Sequence, residues 1–213
     1  MFKRAWLGLI DFLYPKSAQI YALETLSPAE LLAKLPRAEI LTDEMQAIFA
    51  YHDERVRELI YELKYRANEL ITKSLATIAY DVLRAEVAEQ ALFNNFVNPL
   101  LVPIPMSLKR RRERGFNQTE VLATAIMALD TERFFEYRPD ILTKTHTESQ
   151  ALTKNKKVRL SNVPGSIKAE VNLKGQNIIL LDDVTTKGAT FRDARRALRE
   201  VGARRVICVA LAH

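Results

Sequence analysis

With one cysteine, Cys208, among 213 residues, neither an internal disulfide nor a cysteine-based zinc cluster can form. Cys208 lies inside the apolar run Val206 to Leu211, the setting of a small buried hydrophobe. Three histidines, His52, His146 and His213, show no metal-ligand spacing and are read as non-catalytic, so no residue is assigned as a metal ligand. There is no Gly-x-Ser-x-Gly elbow and no His-Glu-x-x-His, which leaves serine hydrolase and zinc protease chemistry without support. No stretch reaches the roughly 18 uninterrupted apolar residues that a membrane-spanning helix needs. At the N-terminus Lys3 and Arg4 precede Trp6, Leu7, Leu9 and Ile10, but Asp11 interrupts the run and no small-residue cleavage site follows. A cytoplasmic protein without a membrane partner is the expectation.

What is present is a globular composition, 48% apolar and 27% charged, which excludes a disordered chain and fits one sizeable core. The net charge of +6 is lopsided. Residues 1 to 100 hold 11 basic and 14 acidic side chains (−3), whereas residues 101 to 213 hold 21 and 12 (+9). Anion chemistry therefore belongs to the C-terminal half, with phosphates, pyrophosphate or nucleic acid as candidate partners.

Residues 1 to 45 are weakly patterned and read as an N-terminal appendage or hood, with Ser27-Pro28-Ala29-Glu30 opening a brief helix through Leu35. The remainder, 46 to 213, reads as one domain. It starts with a strand at Ala47 to Tyr51 and a helix capped by Asp53 with Val56, Leu59, Ile60 and Leu63 on one face. A second helix follows at once through Ile71, Leu75, Ile78 and Val82, fading near Gln90. From Pro99 short apolar runs alternate with helices: strands at Leu100 to Ile104, Asn177 to Leu181 and Val206 to Leu211, helices at Asn117 to Leu129 and Thr190 to Val201. That rhythm predicts an α/β fold with a parallel sheet flanked by helices. The linker between Leu129 and Asn177 lacks periodicity.

The strongest signal is Ile178-Ile-Leu-Leu-Asp182-Asp183-Val184-Thr185-Thr186-Lys187-Gly188-Ala189-Thr190. Four apolar residues demand a buried strand, and the two carboxylates follow its C-terminal end, where open α/β sheets bind ligands. The small-residue turn then enters a helix in which Thr190 and Asp193 form a capping-box-like pair. Backbone amides and the positive helix end converge there on an anion, and two acids beside a phosphate make sense if a polyol lies between them. Lys187 precedes Gly188 rather than following it, so this is no Walker P-loop, and Gly-x-Gly is absent. A capped turn with a solvated aspartate pair is the bland alternative.

Here the chain resembles the phosphoribosyl diphosphate (PRPP) binding motif of type I phosphoribosyltransferases. More narrowly, Val102-Pro-Ile-Pro105-Met-Ser-Leu-Lys109-Arg-Arg-Arg-Glu-Arg114-Gly115-Phe116-Asn117-Gln118 with Leu122-Ala123 resembles the signature of the ComF family. The resemblance covers about residues 46 to 213. It implies the type I phosphoribosyltransferase fold, PRPP bound by Asp182, Asp183, Val184, Thr185, Thr186, Lys187, Gly188, Ala189 and Thr190, and a pyrophosphate loop comprising Pro105, Arg114, Gly115 and Asn117. Asp182, Asp183 and Arg114 are the implied catalytic residues, and Mg²⁺ the implied cofactor. Leu142-Thr-Lys144-Thr-His146-Thr-Glu-Ser-Gln150 with Arg159, Asn162 and Val163 resembles the family's flexible loop, whose candidates are Gln150 and Arg159. Lys64 and Tyr65 match a family position without a role that physics assigns.

Two departures stand out. Family members commonly begin with a four-cysteine zinc ribbon, which the appendage lacks, so no zinc is expected; and Lys187 stands where threonine is usual. By charge alone, Lys109 to Arg114 could be a phosphate-binding loop, a nucleic-acid patch or a solvated run. Two readings follow from this: a Mg-dependent phosphoribosyltransferase acting on PRPP and an unknown nucleobase or other acceptor, or an accessory protein that meets DNA or DNA-uptake proteins and whose PRPP site senses or is vestigial. A homodimer is compatible with either.

Overall fold

The computed structural model describes residues 16–39, 42, 44–145 and 165–213. Two short helices, α1 (Ala18–Glu24) and α2 (Pro28–Lys34), come first, the second closed by a capping box between Ser27 and Glu30. Strand β1 (Met45–Phe49) leads into α3 (Glu54–Tyr61), a π turn (Glu62–Arg66) and the long helix α4 (Glu69–Asn94). Then come β2 (Leu100–Pro103), α5 (Leu108–Arg114), α6 (Gln118–Leu129), β3 (Glu136–Tyr137), β4 (Leu142–Lys144) and β5 (Ile167–Ala169). The chain closes with β6 (Asn177–Val184), α7 (Ala189–Glu200) and β7 (Arg205–Ala212).

Five parallel strands form the main sheet in the order β1-β7-β6-β2-β3, while β4 and β5 pair as a separate antiparallel ribbon. Strands buried on both faces read as continuous apolar runs, and β6 and β7 do so. Because consecutive residues point to opposite faces, Ile179 and Leu181 pack with α1 to α4 and α6, whereas Ile178 and Leu180 pack with α7 and the ribbon. The N-terminal helices belong to the first of these layers, through Ile20, Leu23 and Leu31.

The helix faces anticipated from periodicity are in place: Asp53 caps α3, and Val56, Leu59, Ile60 and Leu63 are buried, as are Ile71, Leu75 and Ile78. Several boundaries differ. β1 lies two residues earlier than Ala47 to Tyr51 because its ladder is set by β7, with Met45 opposite Cys208 and Phe49 opposite Ala212. β6 does not stop at Leu181; β7 continues beside it and pairs Asp182 with Ala210 and Val184 with Ala212. The segment after β2 is the helix α5 rather than a loop. Its residues are good helix formers, Ser107 caps it, and Gly115 at φ 80° ends it.

The capping pair expected at Thr190 and Asp193 is not formed. Gly188, at φ 67°, is the N-cap and turns the chain into α7 earlier. Asp193 instead binds the ribbon, accepting from Gly165 N at 2.7 Å, Ile167 N at 3.0 Å and Ser166 Oγ at 3.2 Å. Burial works to raise its pKa, but these bonds and Arg196 outweigh it and hold the carboxyl below the usual range. The stabilisation is therefore present above the unfolded carboxyl pKa of about 3.9 and is lost as pH falls through the lower folded value. Asp193→Ala is expected to lower unfolding stability by about 2 kcal/mol at pH 7. In urea titrations the gap from wild type should close toward pH 3.

Candidate functional site

β6 carries Asp182 and Asp183 into the sheet's carboxyl end, beside β2, where Ile104 N donates to Leu181 O at 2.9 Å. The pleat separates the two side chains. Asp183 faces the α3, α4 and α6 layer, where Gln118 Nε2 donates to its Oδ2 at 2.5 Å and Lys64 Nζ lies 3.4 Å from its Oδ1. Asp182 accepts from Asp183 N at 2.8 Å and lies in the field of Lys144 at the end of β4. Burial, then the charge of Asp183, pushes the Asp182 carboxyl up to about 8, against that hydrogen bond and the fields of Lys64 and Lys144. Lys144 is driven the other way, first by burial and then by Arg110.

The turn after β6 is fastened at both ends. Thr185 N donates to Ala212 O at 3.0 Å and Thr185 O lies 3.2 Å from His213 Nδ1, while Arg192 Nη1 donates to Lys187 O at 2.6 Å. Thr186 and Lys187 are exposed; Ala189 and Thr190 open α7 half-buried. A Cβ on Gly188 would meet the thioether end of Met45, Sδ at 2.7 Å, and at φ 67° any other residue would be strained. A left-handed glycine followed by the first-turn amides of a 12-residue helix is an anion-binding arrangement.

Arg114, at the end of α5, reaches the same place. Its Nη1 donates to Gln118 Oε1 at 3.1 Å and its Nη2 to Tyr65 Oη at 3.3 Å, with the guanidinium 4.7 Å over the Tyr65 ring. Tyr65 in turn leans on Tyr61, centroids 4.7 Å apart. A ring of contacts thus runs Asp183, Gln118, Arg114, Tyr65 and back through Lys64. Beside it opens a pocket of about 380 Å³ lined by Lys64, Tyr65, Arg110, Glu113 and Arg114, three cations against one anion.

The structure therefore sets Asp182 and Asp183 directly before the 184–190 turn and links Arg114 to Asp183 through Gln118. Gly115 ends α5 and Pro105 is half-buried in the β2 exit. Asn117 is committed to the scaffold: it caps α6 through Thr119 N at 3.1 Å and donates to Ile104 O at 3.2 Å and Glu120 Oε1 at 3.1 Å. Gln150 and Arg159 lie outside the described residues, as does His146. The residues without an assigned role were Lys64, Tyr65 and Gln118. Their sequence signal, a Lys-Tyr pair after a helix and a glutamine beside an N-cap, acquires meaning only when the helices dock on β6.

Among the described residues no three His, Cys, Asp or Glu side chains converge on a metal position. Because the two carboxylates face apart, a divalent cation would be held by one of them, Asp182 or Asp183, and would complete its shell with ligand oxygens, the usual arrangement for Mg²⁺ with a phosphorylated substrate, so a carboxylate here fits that role.

The family model for the phosphoribosyl transferase domain matches residues 140–213. Competence protein ComFC of Bacillus subtilis is 31% identical over 166 residues, 78% of this chain and 62% of that protein; ComFC of Streptococcus pneumoniae is 32% identical over 162 residues, 76% and 64%. The DNA utilization protein YhgH of Escherichia coli is 24% identical over 146 residues, 68% and 61%. The chain thus spans less than two thirds of the length of these relatives, and the matched segments cover most of the chain.

A raised carboxyl pKa means that the folded state binds a proton the unfolded chain releases, so stability is lost as pH climbs from about 4 toward the folded value of about 8. Asp182→Asn, neutral throughout, is expected to gain stability relative to wild type across that window and to level off above it. Urea titrations from pH 4 to pH 9 without divalent cation measure the difference.

Proposed function

Because this chain belongs among the homologues of competence protein ComFC and carries a phosphoribosyltransferase domain, we propose that it binds PRPP with Mg²⁺ at the carboxyl end of β2 and β6 and transfers the phosphoribosyl group to an acceptor. One observation carries this reading: two buried carboxylates ending β6 and, directly after them, the left-handed Gly188 turn into α7. The turn cradles the 5-phosphate with the backbone of Thr185 to Thr190, and the hydroxyls of Thr186 and Thr190 lie on the same segment. Asp182 and Asp183 hold the ribose hydroxyls, directly or through the metal's waters. Mg²⁺, when bound, would supply charge neutralisation for the leaving pyrophosphate. Arg114 and Lys64, beside the cationic pocket, stabilise negative charge that grows on pyrophosphate as its bond to C1 breaks, and no protein nucleophile is needed. Lys187, in place of the usual threonine, is exposed and adds a positive charge at the mouth of the cradle.

Calorimetric titration of PRPP with Mg²⁺ tests the site. Wild type should bind, and the Asp182→Asn, Asp183→Asn double variant should lose at least about 100-fold in affinity, as expected for removing two charge-assisted contacts. A folded wild type that takes up no PRPP would sink the reading. Binding would justify a screen of nucleobases and other acceptors for pyrophosphate release.

The second reading, an accessory role in handling DNA, is favoured by α5, on which Lys109, Arg110, Arg111 and Arg112 are all exposed, and by relatives named as a competence protein and a DNA utilization protein. If α5 meets the phosphate backbone, binding to single- or double-stranded DNA should weaken steeply with salt. Substituting these four residues by serine should flatten the slope of log K against log[salt] by about 3 to 4 units. Absence of binding at low salt removes this reading. Among the described residues no helix is long and apolar enough to cross a membrane.

A further inference from the structure

The turn that carries Lys64 and Tyr65 is wound more widely than the helix it continues. Ala67 N donates to Glu62 O, five residues back, and Asn68 N reaches the same carbonyl at 3.4 Å. Wide turns of this kind are rare and concentrate at functional sites. This one exits through Ala67 at φ 48°, a left-handed conformation that alanine disfavours. Its persistence requires interactions that an ordinary α-helical winding would forfeit.

Those interactions centre on Glu62, which is only 1% exposed. One carboxylate oxygen is paired with Arg66 in the same turn, and the other accepts from Asn68 Nδ2 at 2.9 Å. The Asn68 amide also donates to Glu24 Oε1 of α1 at 2.5 Å, and Glu24 is held in turn by Lys16 Nζ at 2.5 Å. A buried carboxylate is costly unless paired and hydrogen-bonded, so the winding that brings residues 62, 66 and 68 together is the one in which this cost is met. Among the described residues, neither Glu62 nor Asn68 hydrogen-bonds to Asp182, Asp183 or Arg114.

We propose that Glu62 is a positioning residue, whose buried carboxylate, bound to Arg66 and Asn68, holds the π turn in the winding that sets Lys64 against Asp183 and Tyr65 under Arg114. Each residue of an α-helix advances about 100° around the axis, so removing the extra residue of the turn would rotate Lys64 and Tyr65 relative to partners fixed on β6 and α5. Through Asn68 and Glu24 the same carboxylate ties the N-terminal helix α1 to the site, over a separation of 44 residues between Glu24 and Asn68. The consequence for ligand affinity rests on the PRPP reading; the geometric consequence does not.

The experiment has a ligand-free arm and a binding arm. Lys64, 18% exposed and paired with Asp183, should react slowly with an amine-acylating reagent followed by mass spectrometry. Glu62→Gln, and Asn68→Ser, which keeps a capping hydroxyl for α4 while deleting the bridging amide, should each raise its labelling rate about fivefold, toward that of Asp183→Asn, with exposed Lys73 as the unchanged reference. In the binding arm, PRPP affinity should fall about tenfold in Glu62→Gln and in Lys64→Ala, and the double variant should lose clearly less than the sum of the two losses, because both act through the Lys64 contact. Circular dichroism identifies variants that fold, and Asn68→Ser carries the test if Glu62→Gln does not. Unchanged Lys64 labelling in a folded variant, or additive losses in the double variant, overturns the proposal. A wild type that binds no PRPP overturns the functional reading instead, while the labelling arm still decides the positioning role.

Discussion

β6 is buried on both faces over Ile178 to Leu181, and the ladder with β7 prolongs it so that two consecutive carboxylates are carried into the sheet. Consecutive strand residues face opposite ways, so the two charges cannot share one compensating group. Each face must supply its own. The α6 and π-turn side supplies Gln118 and Lys64 to Asp183, whereas on the ribbon side Asp182 lies, among the described residues, in the field of Lys144. The asymmetry leaves Asp183 as the held carboxylate and Asp182 as the one driven toward its neutral form. A strand end that buries two adjacent carboxylates, one of them pushed toward its neutral form, suits a ligand that brings hydroxyls or a cation.

Much of the surrounding architecture can be understood as support for that strand end. Gly188 lets the chain turn tightly against Met45 of β1, and Arg192 and Thr185 pin the two ends of the turn. Asn117 joins the exit of β2 to the start of α6, which places Gln118 over Asp183. Asp193, on the first turns of α7, fastens the ribbon that presents Lys144. The polar groups at the site are therefore oriented by hydrogen bonds from elements distant in sequence, the preorganisation that electrostatic stabilisation of a leaving pyrophosphate would require.

The parallel sheet and its flanking helices were legible in the sequence because each depends on a local period. Val56, Leu59, Ile60 and Leu63 mark one helix face at 3.6-residue spacing, and Ile178 to Leu181 mark a strand covered on both sides. The Asp182 to Thr190 segment was legible for a similar reason: strand, acids, small-residue turn and helix follow one another within 13 residues. The winding of Lys109 to Arg114 into a helix was obscured by its charge, since a run with no apolar face carries no period to detect. The ribbon of β4 and β5 was obscured by its length, three residues on each side.

By itself the sequence determined the main strands and helices of the parallel sheet and that an acidic pair precedes a small-residue turn into a helix, because propensity, periodicity and capping act over a few residues. Only the tertiary structure decided that β6 runs on through Asp183, that the two aspartates face apart, and that Lys64, Tyr65, Arg114 and Gln118 join around one of them. Those outcomes depend on ladder register and on burial. Lys64 and Asp183 meet only because α3 and its wide turn pack against a strand laid down far later in the chain. A charge's partner is set by distance and dielectric after packing, and neither quantity exists until the sheet has formed.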